Sequence, residues 1–257
     1  MVRFWGVLGV AAALATLGPV GRACAEPGLG NKVYSPFVRS GVTEVEVRSG
    51  ILQGGTLNGE AGTVVELEQG LNERVSLAIV AEFEHHAGEE SKLDSLGIES
   101  VVYLGQIPGL GVDVGGYFEY EQRIHNESGV LEGKLLLARD FGPVHGLLNV
   151  IARQALTDRP GEGATAFSYA AQATVDVTPR LVPHLALGVQ AFGDLGDSRH
   201  AGGRQAHYLG PVAQWTFKPH GFPGELEFEA AWLAPLGTAR DETNQQFRFV
   251  VEWEKRF

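Results

Sequence analysis

The chain has 257 residues, with 31 acidic and 20 basic side chains, a balance of −11, and a single cysteine. Beyond the N-terminus it has no uninterrupted apolar run of about 18 residues, which excludes a polytopic helical membrane protein. The acidic balance argues against a nucleic-acid partner, because phosphate binding needs clustered lysine and arginine. One cysteine forms neither an internal disulfide nor a cysteine-based metal site.

The first element, residues 1–25, has the pattern of a secretory signal peptide. Arg3 precedes an apolar run over 4–20, and Ala23-Cys24-Ala25 fits a small-x-small cleavage site. The alternative is a lipoprotein signal that retains an acylated Cys24, but Gly21 stands where such a signal normally has leucine. Cleavage leaves 18 basic and 31 acidic residues, a balance of −13, and no sulfur.

The rest of the chain alternates apolar and polar side chains, which is the pattern of β-strands. Between 75 and 84, for example, Leu77, Ile79 and Phe83 share one face, and Glu82 and Glu84 lie on the other. About twelve such runs are predicted, at 42–51, 62–69, 75–84, 95–105, 112–123, 130–140, 144–153, 165–177, 182–192, 207–217, 225–234 and 246–257.

The connections between these runs mostly alternate between long and short. The long ones, such as 85–94 and 193–206, are polar and rich in glycine, whereas 141–143 and 178–181 are short. Short turns at one end and long loops at the other are typical of an up-and-down transmembrane barrel.

The last run ends on an aromatic residue. Phe247, Phe249, Val251, Trp253 and Phe257 form an apolar stripe that reaches the final position. This stripe resembles the C-terminal strand of Gram-negative outer-membrane barrels, whose terminal aromatic is read by the barrel-assembly machinery, so Trp253 and Phe257 are the predicted assembly signal. The third residue from the end, a lysine, departs from that pattern, although a lysine snorkels at a membrane edge.

We therefore predict an all-β fold, a transmembrane antiparallel up-and-down barrel of about twelve strands over 41–257. Residues 26–40 are predicted to be a periplasmic lead-in. Aromatic side chains near both ends, among them Phe118, Phe192 and Trp232 near the long loops, are predicted to form two girdles.

Short motifs suggest a family. The segments 31–38, 41–47, 69–74 and 208–212 resemble a group of uncharacterised proteobacterial outer-membrane proteins. That group is close to transporters of the MetA-pathway-of-phenol-degradation type. The resemblance implies a barrel and a transport role.

If the apolar stripe faces lipid, the polar stripe lines the lumen. The acids predicted to face inward are Glu44, Glu46, Glu66, Glu68, Glu82, Glu84, Glu99, Asp113, Glu119, Glu121, Glu132, Asp176, Glu225, Glu227, Glu229, Glu252 and Glu254. The bases predicted to face inward are Arg48, Arg123, Lys134, Arg153, Arg248 and Arg256. Such a wall favours cations over anions. Alternatively, these carboxylates only keep the wall wet and pair with the bases.

Catalytic and metal sites are weakly indicated. His85-His86 with Glu89-Glu90 could hold a divalent ion, but adjacent loop histidines are more often solvated. A rim-site lipid-modifying enzyme would use His125 with Ser128, or His200 with Ser198, yet neither a Gly-x-Ser-x-Gly nor a His-Glu-x-x-His motif is present. No enzyme activity, metal or cofactor is expected.

The predicted function is passive passage of small solutes through a bacterial outer membrane. The expected partners are outer-membrane lipid, the assembly machinery and a small-molecule or ion solute. The alternatives are a non-conducting barrel whose loops bind a partner and the lipid-modifying enzyme.

The signal-peptide prediction is tested by the intact mass of the protein purified from the membrane. We expect a chain that begins at Glu26 and contains no cysteine, because signal peptidase cuts after the small-x-small motif. A mass that includes an acylated Cys24 would instead establish the lipoprotein alternative.

Overall fold

The computed structural model describes residues 29–124, 128–157, 163–177, 184–199 and 205–257. The predicted signal peptide and the first residues of the lead-in lie outside these ranges. None of the helices in the described part of the chain is long and apolar enough to cross a membrane.

Twelve antiparallel strands form a closed barrel in which every strand pairs with its neighbour in sequence and the first pairs with the last. The strands are β1 (Val42–Gln53), β2 (Ala61–Gly70), β3 (Ser76–His85), β4 (Lys92–Ile107), β5 (Val112–Arg123), β6 (Gly129–Phe141), β7 (Val144–Leu156), β8 (Ala166–Asp176), β9 (Leu185–Asp197), β10 (Ala206–Phe217), β11 (Glu225–Gly237) and β12 (Gln245–Arg256). A short 3-10 helix, Thr238–Asp241, precedes β12. The predicted up-and-down barrel is confirmed.

Closure pairs the first strand with the last. β1 and β12 pair over their whole length, from Val42 opposite Arg256 to Gln53 opposite Gln245. Because the ring has no free edge, the strands satisfy their backbone hydrogen bonds among themselves, as a bilayer requires.

The two faces of the barrel differ as the alternation predicts. Outward positions carry exposed apolar side chains such as Val47, Ile98 and Phe118, whereas Glu46 and Arg48, which flank Val47, are 2% and 6% exposed. An apolar outer band around a polar interior is the arrangement of a barrel in lipid.

One end of the barrel, called the turn end, carries the connections 71–75, 108–111 and 142–143. The start of β1 and the end of β12 also lie there. The other, the loop end, carries the remaining long connections, such as 54–60 and 157–165. The sorting is less clean than predicted, because the β8–β9 connection at the turn end spans 177–184. β9 starts only at Leu185, since the φ of 59° at His184 interrupts the extended backbone.

The predicted aromatic girdles need one correction. Phe118 and Trp232 lie on the outer surface, but Phe192 is 1% exposed and points into the barrel. There it packs with Ala170, Tyr208 and other buried side chains. The prediction failed at Phe192 because an aromatic residue near a strand end suits a girdle and an inner cluster equally well.

A charge placed on the outer surface should destabilise the barrel. Ile98 lies near the middle of β4 and is 55% exposed. We expect Ile98→Arg to lower the free energy of unfolding in lipid vesicles by about 2–4 kcal/mol, because a guanidinium near the bilayer midplane is poorly solvated. Leu71→Arg, in an exposed turn, should cost about 0–1 kcal/mol. Equal losses in urea titrations of the two variants would contradict a lipid-facing Ile98.

Candidate solute pathway

The structure places the predicted acidic and basic residues on inward strand positions. Glu46, Glu66, Glu99 and Glu121 are deeply buried in the wall. At the two ends of the barrel, Glu84, Asp176 and Arg256 are exposed. The alternation therefore located these residues, while their partners were not predictable from it.

Several inward bases pair with inward acids. Arg48 bonds Glu46 at 2.5 Å and also contacts Glu66. Arg153 contacts Glu121, whose other oxygen is 3.4 Å from the Nε of Arg123. These pairs are the arrangement expected under the alternative in which the carboxylates keep the wall wet and pair with the bases. They neutralise much of the positive charge of the wall.

Lys134 and Arg248 lie close to aromatic rings. The Nζ of Lys134 is 3.0 Å from Glu132 and about 4 Å from the centres of the Tyr34 and Tyr117 rings. The guanidinium of Arg248 lies 4.1 Å from the centre of the Phe192 ring. Both contacts are within the range of cation–π attraction.

The lumen also contains part of the chain that precedes the barrel. Residues 29–40, called the inner segment, run through the lumen of the barrel from the loop end to the turn end. The sequence instead predicts a periplasmic lead-in over 26–40. At the loop end, Leu29 packs against the buried cluster that includes Phe192 and Leu233. At the turn end, the backbone oxygen of Arg39 lies beside Gly70.

Tyr34 anchors the middle of the inner segment. Its backbone NH donates to the Oδ1 of Asn149 at 2.7 Å, and the Nδ2 of Asn149 donates to its carbonyl at 2.9 Å. Its hydroxyl donates to Glu99 at 3.2 Å and accepts from Arg48 at 3.1 Å. Since Asn149 is on β7 and Arg48 is on β1, Tyr34 connects strands from opposite sides of the twelve-strand ring.

Two bases of the inner segment lie among wall carboxylates. The Nζ of Lys32 is 2.8 Å from Glu46, 3.5 Å from Glu66 and 3.8 Å from Glu44. Arg39 contacts Glu254 and is 3.8 Å from Glu252 and from Glu44. The segment thus adds two positive charges to that of Arg48 beside these carboxylates.

The interior is not polar throughout. Leu52, Ile151, Phe192, Tyr208 and Leu233 belong to a buried apolar cluster on the inner wall. Leu29 and Val33 of the inner segment pack against it, while Lys32 and Tyr34 reach the acidic side. The inner segment is therefore amphipathic in a way that matches the two sides of the lumen.

A cavity of about 630 Å³ opens at the loop end. Leu29, Gly30 and Asn31 of the inner segment contribute to its lining. Its charged lining residues are Glu60, Glu82, Glu84, Asp94, Arg123, Glu132 and Arg153, with His85 and His86. A small polar solute that enters from the loops would therefore meet a mostly acidic vestibule.

Among the described residues, three groups of carboxylates bring ligand atoms within 4.8 Å of one another. They are Glu44, Glu46 and Glu252; Glu66, Glu68 and Glu99; and Glu82, Asp94 and Glu121. Lys32 contacts members of the first two groups, so a lysine already supplies a cation there. Such groups have the chemistry to attract cations in transit.

The loop histidine His86 binds a carboxylate of the neighbouring loop. Its Nδ1 is 2.6 Å from Glu60, and its Nε2 is 3.9 Å from Glu84. The hydrogen bond and the charge of Glu60 raise the pKa of His86 above the usual imidazole range. This contact ties two long loops together at the mouth of the cavity.

The other sequence candidates are only partly within the described residues. His125 and His200 lie outside them, so neither predicted Ser-His pair is described. Trp253 donates its indole NH to the carbonyl of Pro223 at 2.8 Å, and Phe257 is 76% exposed beyond the end of β12. Recognition of Trp253 and Phe257 during assembly stays a prediction.

Comparisons with known proteins identify the fold. No protein-family model and no curated protein sequence matches the chain. Solved structures of outer-membrane proteins, including the following three, are similar over most of it. An outer membrane channel from Pseudomonas putida F1 has 13% identity and a TM-score of 0.55, covering 86% of this chain and 97% of that one.

The other two are the KdgM porin in complex with disordered oligogalacturonate and the NanC porin. The first has 8% identity and a TM-score of 0.53, and the second has 10% and 0.52; each match covers 83% of this chain and 99% of the other. The chain has the fold of outer-membrane porins. At these identities the likeness extends to the barrel and not to the solute.

The contact between His86 and Glu60 should depend on pH. Because the carboxylate stabilises the protonated ring, the contact is fully formed below the ordinary imidazole pKa and is lost as the pH rises through the raised pKa. We expect Glu60→Gln to shift the NMR titration midpoint of His86 downward. Glu73→Gln, in a turn at the other end, is the matched control, and an unchanged midpoint in Glu60→Gln would contradict the contact.

Proposed function

We propose that the chain is an outer-membrane channel for small solutes and that its lumen favours cations. The barrel fold, the apolar outer band and the similarity to porins support a channel in that membrane. The predicted signal peptide provides the export that this location requires. The resemblance to transporters of the MetA-pathway type stays a prediction.

The excess of carboxylates on the inward positions carries the cation preference. Glu68 and Glu227 are examples: among the described residues, no arginine or lysine nitrogen lies within 4.0 Å of either carboxylate. Glu227 accepts a hydrogen bond from Thr216. Fixed negative charge in a narrow, low-dielectric passage raises the local concentration of cations. The KdgM porin holds oligogalacturonate, a polyanion, which the acidic wall of this chain would disfavour.

The inner segment favours a second candidate, a non-conducting barrel whose long loops bind a partner. Tyr34 and its neighbours occupy the middle of the lumen, and the charged vestibule is continuous with the loops. The two candidates differ in whether ions cross the barrel, which a conductance measurement decides.

We expect the purified protein in a planar bilayer under a KCl gradient to give a reversal potential whose sign shows that potassium permeates better than chloride. The double variant Glu68→Gln/Glu227→Gln should lower that preference, because it removes two fixed charges from the lumen. Glu73→Gln/Glu90→Gln makes the same change in exposed turns and should leave it unchanged. Anion selectivity of the parent protein would contradict the cation-selective proposal. Absence of conductance in the parent and in every variant would favour the non-conducting barrel.

A further inference from the structure

We propose that the inner segment is a resident plug that sets the conductance of the barrel, and that its displacement opens the solute path. This inference rests on the proposed channel function and adds the part of the chain that controls it. Four observations support it: the span of Tyr34, the glycines beside the segment, the charges of its bases and the way it is attached.

The plug crosses the lumen at Tyr34. This residue is 4% exposed and bonds Asn149 on one side and Arg48 on the other. Its ring also lies 4.7 Å from that of Tyr117, which is 1% exposed. A solute passing the middle of the barrel would have to separate these contacts.

The wall has glycine where the inner segment comes closest. A Cβ atom added to Gly50 would overlap the backbone oxygen of Leu29, and one added to Gly70 would overlap that of Arg39. A Cβ at Gly115 would lie 2.8 Å from the Cβ of Pro36, and one at Gly62 would lie 3.0 Å from that of Leu29. These inward glycines, on β1 and β2 and across the lumen on β5, leave the room that the segment occupies, which we call the groove.

The charges of the segment match the groove. Lys32 and Arg39 contact carboxylates on β1, β2 and β12, namely Glu44, Glu46, Glu66, Glu252 and Glu254. Without the segment, like charges would face one another across the groove, an arrangement that is unfavourable in a poorly solvated interior. The seated plug is therefore the favoured state.

The inner segment is held in the lumen without strand pairing to the barrel. No strand of the described barrel includes residues 29–40, and Tyr34 is held by the side chain of Asn149 rather than by a strand ladder. The segment can leave the lumen without breaking a pair of strands. Removing it costs hydrogen bonds and ion pairs, but the sheet stays closed.

A disulfide can lock the plug in place. A Cβ at Gly30 would lie 3.5 Å from the Cβ of Val64, a separation that suits a disulfide. We would build Gly30→Cys/Val64→Cys in a chain with Cys24→Ser. Oxidation should link the pair in nearly all molecules and keep the conductance at or below the parent level.

A second set of variants should release the plug. Gly115→Leu places a side chain where Pro36 lies, and Lys32→Gln/Arg39→Gln removes the two bases. We expect each change to raise single-channel conductance several-fold and to lower the disulfide yield when combined with the cysteine pair. The controls are Gly133→Leu, where an added Cβ has only a 3.9 Å contact with Tyr117, and Lys92→Gln at the exposed start of β4.

The readouts separate failure of the plug from failure of the channel. Absence of the disulfide in the oxidised Gly30→Cys/Val64→Cys protein, with a folded barrel on a heat-modifiability gel, would overturn the seating of the segment. Equal conductance in the locked and released forms would overturn its control of the pore. Efficient disulfide formation with no conductance in any variant would overturn the channel function instead.

Discussion

The closure of the sheet between β1 and β12 is the constraint on which the other features depend. Closure satisfies the backbone groups that lipid cannot solvate and fixes which side chains point inward. It therefore gathers carboxylates from most of the strands into one enclosed volume. That concentration of negative charge requires cations, and Arg48, Lys134 and Arg153 supply only part of them.

The inner segment offsets the negative charge that closure concentrates and covers apolar side chains of the inner wall. Lys32 and Arg39 bring positive charge to the carboxylates of β1, β2 and β12. Leu29 and Val33 cover apolar side chains of the inner wall that would otherwise face water. A twelve-strand ring lies between barrels filled by their own side chains and wide aqueous pores. Here an additional length of chain fills the intermediate space.

The sequence predicted the barrel and the facing of its charged residues, because a period of two is visible without knowledge of partners. It did not predict the inner segment, since 29–40 has neither helical nor strand periodicity. The inward glycines, such as Gly50 and Gly115, were the available signal, but a glycine in a strand also marks a bulge or a bend. Phe192 was misplaced for a related reason, because inward aromatics break the simple rule of a polar lumen.

Arg39 contacts Glu44 near the start of the barrel and Glu252 and Glu254 near its end. It therefore acts as a clasp across the seam where β1 and β12 meet. Withdrawal of the inner segment would release this clasp and weaken the seam from within. Displacement of the proposed plug would therefore also act on the stability of the ring, because Glu44, Glu252 and Glu254 on the two strands that close it contact Arg39.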